Sequence, residues 1–185
     1  AFFRDRGVME VQTAVIGAAT VTEPAVESIA VPGLGYLQTS PEYQMKRLLA
    51  AGAPSIYQLG PVFRAGEAGR RHNPEFTMLE FYVSYADYHD LITLTEELVS
   101  SLAQQILGKT VIPYQGHEIV LTPPWRRWSY HQAIQEVNNL APAVLQDREQ
   151  ALAAAKRLNV PVDPKASLFT IVNEIFEETV EPNLQ

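Results

Sequence analysis

Two runs rich in aromatic and apolar residues, 56–64 and 76–85, stand out along the chain, and each suits a pleated, half-buried surface. The stretch between them, 65–75, is polar and carries Gly66, Gly69 and an Asn73-Pro74 pair. Hairpins are mostly closed by about two to five residues, so two strands joined by a loop this long point to a loop with a job. Upstream, 1–7 reads as the last turns of a helix that Gly7 ends, and 8–13 alternates as a short strand. Residues 16–34 are rich in Gly, Ala, Pro and Thr and predict a loop-rich connection with one short strand. A strand is expected over 35–39, then a helix with Ser40 at its N-cap, Pro41 at its first position and Gly52 closing it. Downstream, Asp87 caps a long amphipathic helix that ends at Gly108, with Leu91, Leu94, Leu98, Leu102 and Ile106 as its buried stripe. A second hairpin is expected from 110–114 and 118–122. Ser129 with Gln132, and Asp147 with Gln150, have capping-box spacing and open two more helices. A last helix is predicted to open at Asp163-Pro164, with Leu168, Ile171, Val172, Ile175 and Phe176 inside.

This order of elements predicts an α+β fold, an antiparallel sheet flanked by helices, in one domain spanning 1–185. A hydrophobic content of 46% against 19% charged residues marks a globular chain. No apolar run is long enough to cross a membrane, and no signal peptide is visible. The absence of cysteine removes disulfides, thiolate metal sites and thiol nucleophiles, and fits a cytoplasmic home. The net charge of −7 argues against a broad basic field for nucleic acid. A local basic cluster of Lys46, Arg47, Arg64, Arg70 and Arg71 remains.

The candidate chemistry gathers around the long loop. Arg64 sits where the first strand meets it, His72 and Asn73 where the chain returns, and Phe76 and Glu80 on the second strand. A cation, an imidazole, an amide and an aromatic ring converging on one face suit a nucleotide. A guanidinium presents a planar fork to two anionic oxygens at once, which makes Arg64 the natural phosphate clamp. Glu42, at a strand-to-helix junction, is placed to meet a cationic amine, although an acid in a helix's first turn is also favoured by the helix dipole alone. Glu80, Met78 and Tyr82 share one face by the strand period of two. His89, His117 and His131 lack metal-ligand spacing, and neither a Walker loop nor a Gly-x-Gly-x-x-Gly motif is present.

The stretch FRAGEAGRRHNPEFTMLEFY (63–82) resembles motif 2 of the class II aminoacyl-tRNA synthetases in their lysyl branch, and TSPEYQMKRLLAAG (39–52) is similar to the same branch. The Thr-Ser-Pro-Glu-Tyr form resembles most the elongation factor P–(R)-β-lysine ligase family, a lysyl-tRNA synthetase paralogue. The N-terminal helix, Gly7 and Glu10-Val11-x-Thr13 resemble motif 1, the dimer element, with Ala14 at its usual proline. The resemblance implies adenylation of lysine or β-lysine by ATP with Mg²⁺, the metal ligands lying outside this chain. Transfer to a lysine of elongation factor P would follow, with tRNA not expected as acceptor, in a homodimer formed through motif 1. It implies Arg64 as the catalytic residue on the α-phosphate. Ala65, Gly66, Glu67, His72, Asn73 and Phe76 join Arg64 as ATP contacts, and Ser40, Pro41, Glu42 and Tyr82 as substrate contacts. Most members of the family carry Glu where this chain has Gly66, so either Glu67 swings in or backbone groups read the adenine. Motif 3 is not found, so the domain is expected to be incomplete at both ends. Two other readings stay open: a lysyl-tRNA synthetase core that charges tRNA, and a non-catalytic paralogue.

Overall fold

The computed structural model describes residues 1–184, which form two compact units, 1–108 and 109–184. In the first unit, strands β5 (Ile56–Phe63) and β6 (Glu75–Tyr82) pair antiparallel over their whole length, from Ile56 opposite Tyr82 to Phe63 opposite Glu75. The predicted hairpin is therefore present, with its second strand stopping at Tyr82; Tyr85 beyond it has a positive φ of 62° and is fully exposed. Strand β1 (Met9–Glu10) adds in parallel to β5, giving the order β1-β5-β6.

One face of this sheet packs on an aromatic cluster. Phe3 stacks on Tyr57 at 4.6 Å and lies 5.2 Å from Phe81, with Val8 and Leu98 closing the group. Phe3 precedes a single 3₁₀ turn, Arg4–Arg6, ended by Gly7 in the left-handed region as its position suggested.

Where one short strand was expected over 16–34 there are two, β2 (Ile16–Gly17) and β3 (Ala30–Val31), on either side of β4 (Gly35–Leu37). Each is two residues long, too short for a periodic signal. The two sheets are stitched together by backbone bonds from Phe63 N to Gln38 O (2.9 Å) and from Ala65 N to Glu27 O (2.9 Å). Beneath the seam the buried amides are paired: Gln38 donates to Pro61 O and Gln58 accepts from Thr13 N, both at 2.9 Å.

Helix α1 spans Glu42–Ala50, one residue later than its sequence signals place it, but the Ser40 hydroxyl still accepts the Glu42 amide at 3.1 Å. Helix α2 (Tyr88–Leu107) opens on a reciprocal cap. Asp87 accepts from His89 N and Asp90 N, and Asp90 accepts from Asp87 N. Its expected stripe is only partly buried: Leu98 is covered, whereas Leu102 and Ile106 are exposed.

In the second unit, β7 (Val111–Tyr114) and β8 (His117–Val120) form the small hairpin, turned by Gln115 and Gly116, both at positive φ. Helices α3 (Tyr130–Asn138), α4 (Arg148–Arg157) and α5 (Leu168–Thr179) close a core around Ile134, Ile171, Ile175 and Val180. The Ser129–Gln132 capping box forms as its spacing predicts. Helix α5 starts later than Asp163-Pro164, because Asp163 closes a turn instead, receiving Ala166 N on its carbonyl and Lys165 N on its carboxylate. Ser167 then caps the helix through Thr170 N.

Gly35 has φ +132°, and a Cβ there would fall on the Gly17 carbonyl oxygen. Gly35→Ala should therefore destabilise the protein by about 2 kcal/mol or more, seen as a lower midpoint in chemical denaturation. An unchanged midpoint would show that the β2–β4 contact is dispensable.

Candidate active site

Strand pairing and the α1 junction bring the chemistry together. A cavity of about 380 Å³ is lined by Thr39, Ser40, Glu42 and Tyr43 from the turn into α1, by Arg64 at the end of β5, and by Met78 and Glu80 from β6. Val21, Thr22, Glu23 and Val26 complete its wall. Three carboxylates thus share the cavity with one guanidinium, an arrangement that favours an amine-rich ligand carrying one anionic end.

Glu80 is held by two hydroxyls. Ser40 Oγ donates to one carboxylate oxygen and Tyr82 OH to the other, both at 2.7 Å. An ionised carboxylate accepts about four hydrogen bonds, so Glu80 is oriented and still has lone pairs for an incoming ammonium. The Tyr82 phenol is pushed well above its ordinary range, first by burial, then by its bond to Glu80 and by the charges of Glu80 and Glu42. Glu42 already meets one ammonium: Lys46 Nζ donates to it at 2.6 Å. That bond raises the Lys46 pKa, although the lysine is solvent-exposed and the pair is a modest contact.

Arg64 is held from three sides. Its Nε donates to Thr39 O at 3.3 Å, one terminal nitrogen lies 3.7 Å from Glu67, and the guanidinium carbon sits 5.1 Å from the centre of the Phe76 ring. Arg64 thus carries a cation beside the half-buried Phe76 ring, an anion-binding group next to an aromatic face. Among the described residues no group of three or more His, Asp or Glu side chains is arranged to hold a metal ion.

Of the residues singled out in the sequence, Ser40, Glu42 and Arg64 line the cavity and Tyr82 braces one of its walls. Pro41 is fully buried beneath them. Ala65 is tied by its backbone to Glu27, and Gly66 turns the loop at φ +73°. His72 and Asn73 are exposed on the loop and do not reach the cavity. Glu80, one of the candidates on the second strand, lines the cavity and receives both Ser40 and Tyr82. The 21–26 segment gave no signal, since its place depends on the pairing of two-residue strands; Thr22 Oγ1 and Tyr43 OH, 2.6 Å apart, fasten it to α1. No helix among the described residues is long and apolar enough to cross a membrane.

Residues 1–178 match the profile of the tRNA synthetases class II (D, K and N). Similar proteins include the lysine–tRNA ligase of Synechococcus sp. (strain CC9311), 45% identical over 80% of this chain and 31% of that protein. The lysine–tRNA ligase of Carboxydothermus hydrogenoformans is 40% identical over 99% of this chain and 38% of its own length. That of Prochlorococcus marinus (strain MIT 9303) is 42% identical over 97% and 36%. The chain thus spans about a third of the length of these curated relatives. They correct one expectation: relatives named for tRNA overturn the reading against tRNA and give no support to elongation factor P as acceptor.

Because the folded-state value of Tyr82 lies above the unfolded one, its neutral phenol contributes fully below the ordinary value of 10.0, and that contribution fades as pH rises through the folded value. In an alkaline titration followed by tyrosinate absorbance, Tyr82→Phe should remove one late-ionising phenol. Stability should also decline less steeply in the variant above the ordinary phenol value. A wild-type titration in which every phenol ionises at its ordinary value would contradict the bracing of Glu80.

Proposed function

Since the chain belongs to the class II (D, K and N) tRNA synthetase family, we propose that the protein activates lysine with ATP and passes it to tRNA. The observation that carries the lysine reading is the cavity itself, where Glu42 and Glu80 face the same space as Arg64. A substrate with two amines and one carboxylate satisfies all three groups. Relatives named lysine–tRNA ligase support the acceptor.

The chemistry follows from the charges. Glu80, fixed by Ser40 and Tyr82, and Glu42 at the head of α1 receive the two ammonium groups. This directs the substrate carboxylate toward Arg64. A carboxylate oxygen attacks the α-phosphorus of ATP, the bond to the β-phosphate oxygen breaks, and pyrophosphate leaves. Arg64 neutralises the negative charge that gathers on the phosphoryl oxygens, and Phe76 gives the adenine a stacking face. The 2′- or 3′-hydroxyl of the tRNA terminus then attacks the activated carbonyl and releases AMP.

In the full-length protein, ATP–pyrophosphate exchange should depend on lysine. Arg64→Ala should slow it by about two orders of magnitude or more with the fold intact, because Arg64 acts on transition-state charge. Glu80→Gln should instead act mainly on the KM for lysine, raising it by about tenfold or more. Exchange driven equally by unrelated amino acids would remove the lysine assignment. A separate assay should load labelled lysine onto tRNA; robust exchange with no tRNA product would refute the acceptor while leaving the activation step standing.

A further inference from the structure

We infer that Glu67 is a positioning residue: from outside the cavity its carboxylate holds the Arg64 guanidinium in its working orientation, rather than reading the adenine amino group. The inference rests on the activation reading above and deepens it.

Three observations carry it. Glu67 lies 3.7 Å from an Arg64 terminal nitrogen, and the two side chains are only 29% and 25% exposed, so the pair is partly shielded from water. Glu67 is not among the residues lining the cavity, whereas Arg64 is, so Glu67 acts on a ligand there through Arg64. The loop is also built to return the carboxylate. Arg64 N donates to Pro74 O at 2.8 Å and Ala65 N to Glu27 O at 2.9 Å, which fixes the base of the loop. Gly66 at φ +73° then reverses the chain, Ala68 N closes on Gly66 O at 3.1 Å, and Glu67 faces back across three residues.

The distance matters. At 3.7 Å the carboxylate orients the guanidinium by charge without taking up a short hydrogen bond, so donors on Arg64 stay available for substrate oxygens. Thr39 O holds Nε and the Phe76 ring borders the guanidinium, which leaves Glu67 as the charged partner of the group. Gly66 stands where the family has its usual Glu, and the shift of the acid by one residue changes its task from contacting the base to aiming the clamp.

The test uses the full-length protein and Glu67→Gln, which keeps the shape and removes the charge. In lysine-dependent pyrophosphate exchange, kcat should fall about ten- to hundredfold, while the KM values for ATP and lysine change less than about twofold. The preference for ATP over purine riboside triphosphate, which lacks the 6-amino group, should be unchanged. Nitrogen NMR of arginine side chains gives a reading that does not depend on turnover. The Arg64 terminal Nη–H resonances, assigned by their loss in Arg64→Lys, should show hindered rotation and slowed solvent exchange in the parent and lose both in Glu67→Gln, since the terminal nitrogen is the one that faces Glu67. Collapse of the preference for ATP, an unaltered kcat, or equally hindered Nη–H groups in the variant would each overturn the inference. Absent or lysine-independent exchange in the parent would remove the proposed function instead, and the NMR comparison would still decide the role of Glu67.

Discussion

Eight consecutive residue pairs between β5 and β6 set the geometry on which the site depends. Antiparallel pairing fixes which residues share a face, and a slip of one position would send every side chain to the opposite side. In the observed register Phe76, Met78, Glu80 and Tyr82 alternate onto the cavity side, while Tyr57 and Phe81 pair on the other and pack with Phe3. The aromatic cluster therefore does more than bury apolar surface. A slip would move Phe81 off Phe3 and take Glu80 away from Ser40, so the packing on one face protects the charge arrangement on the other. The same pairing puts Arg64 at the end of β5, beside the start of α1, where Thr39 O can receive it.

Within this frame the cavity works by holding like charges apart from their own neutralisation. Glu80 is bonded by two neutral hydroxyls rather than by a cation, so its charge is oriented but not cancelled. Glu42 has an exposed lysine as partner, a contact that water weakens and a substrate amine can replace. Arg64 has an ion pair too long for a strong hydrogen bond. Each charged group is thus preorganised while keeping capacity for a ligand, which is where electrostatic catalysis gains its advantage over water.

The sequence made the hairpin, the long loop, the neighbourhood of the α1 start and the caps Asp87, Ser129 and Asp147 legible, because each is local: periodicity, a cap, a glycine. It also named Arg64, Glu42, Ser40 and Tyr82, which lie in two short stretches on either side of β5. What it left open is non-local. Glu80 stood among the candidates on β6, but its bond to Ser40, forty positions away in the chain, shows only in the fold. The 21–26 wall is set by two-residue strands and by the Thr22–Tyr43 contact, none of which leaves a periodic trace. Leu102 and Ile106 carry perfect helical spacing yet are exposed, since spacing says which side of α2 is apolar and not what covers it. His72 and Asn73 stay outside the cavity although their motif is specific, because the loop that carries them runs at the surface.

The expectation against tRNA failed for a physical reason. It leaned on a net charge of −7, but net charge governs the field at long range, and salt screens that field within about 8–10 Å under ordinary conditions. Contacts to phosphate are made one at a time by local cations. Arg47, Arg70 and Arg71 are exposed on α1 and on the long loop, the two elements that also deliver Glu42 and follow Arg64 into the site. The carboxylates of the cavity, Glu23, Glu42 and Glu80, are separate from these exposed arginines, so a sum of charges over the chain mixes two different surfaces. An acidic chain can therefore carry exposed local cations beside elements that also line an acidic cavity. Binding of a polyanion depends on where those few cations sit, and a sum over the whole chain erases that information.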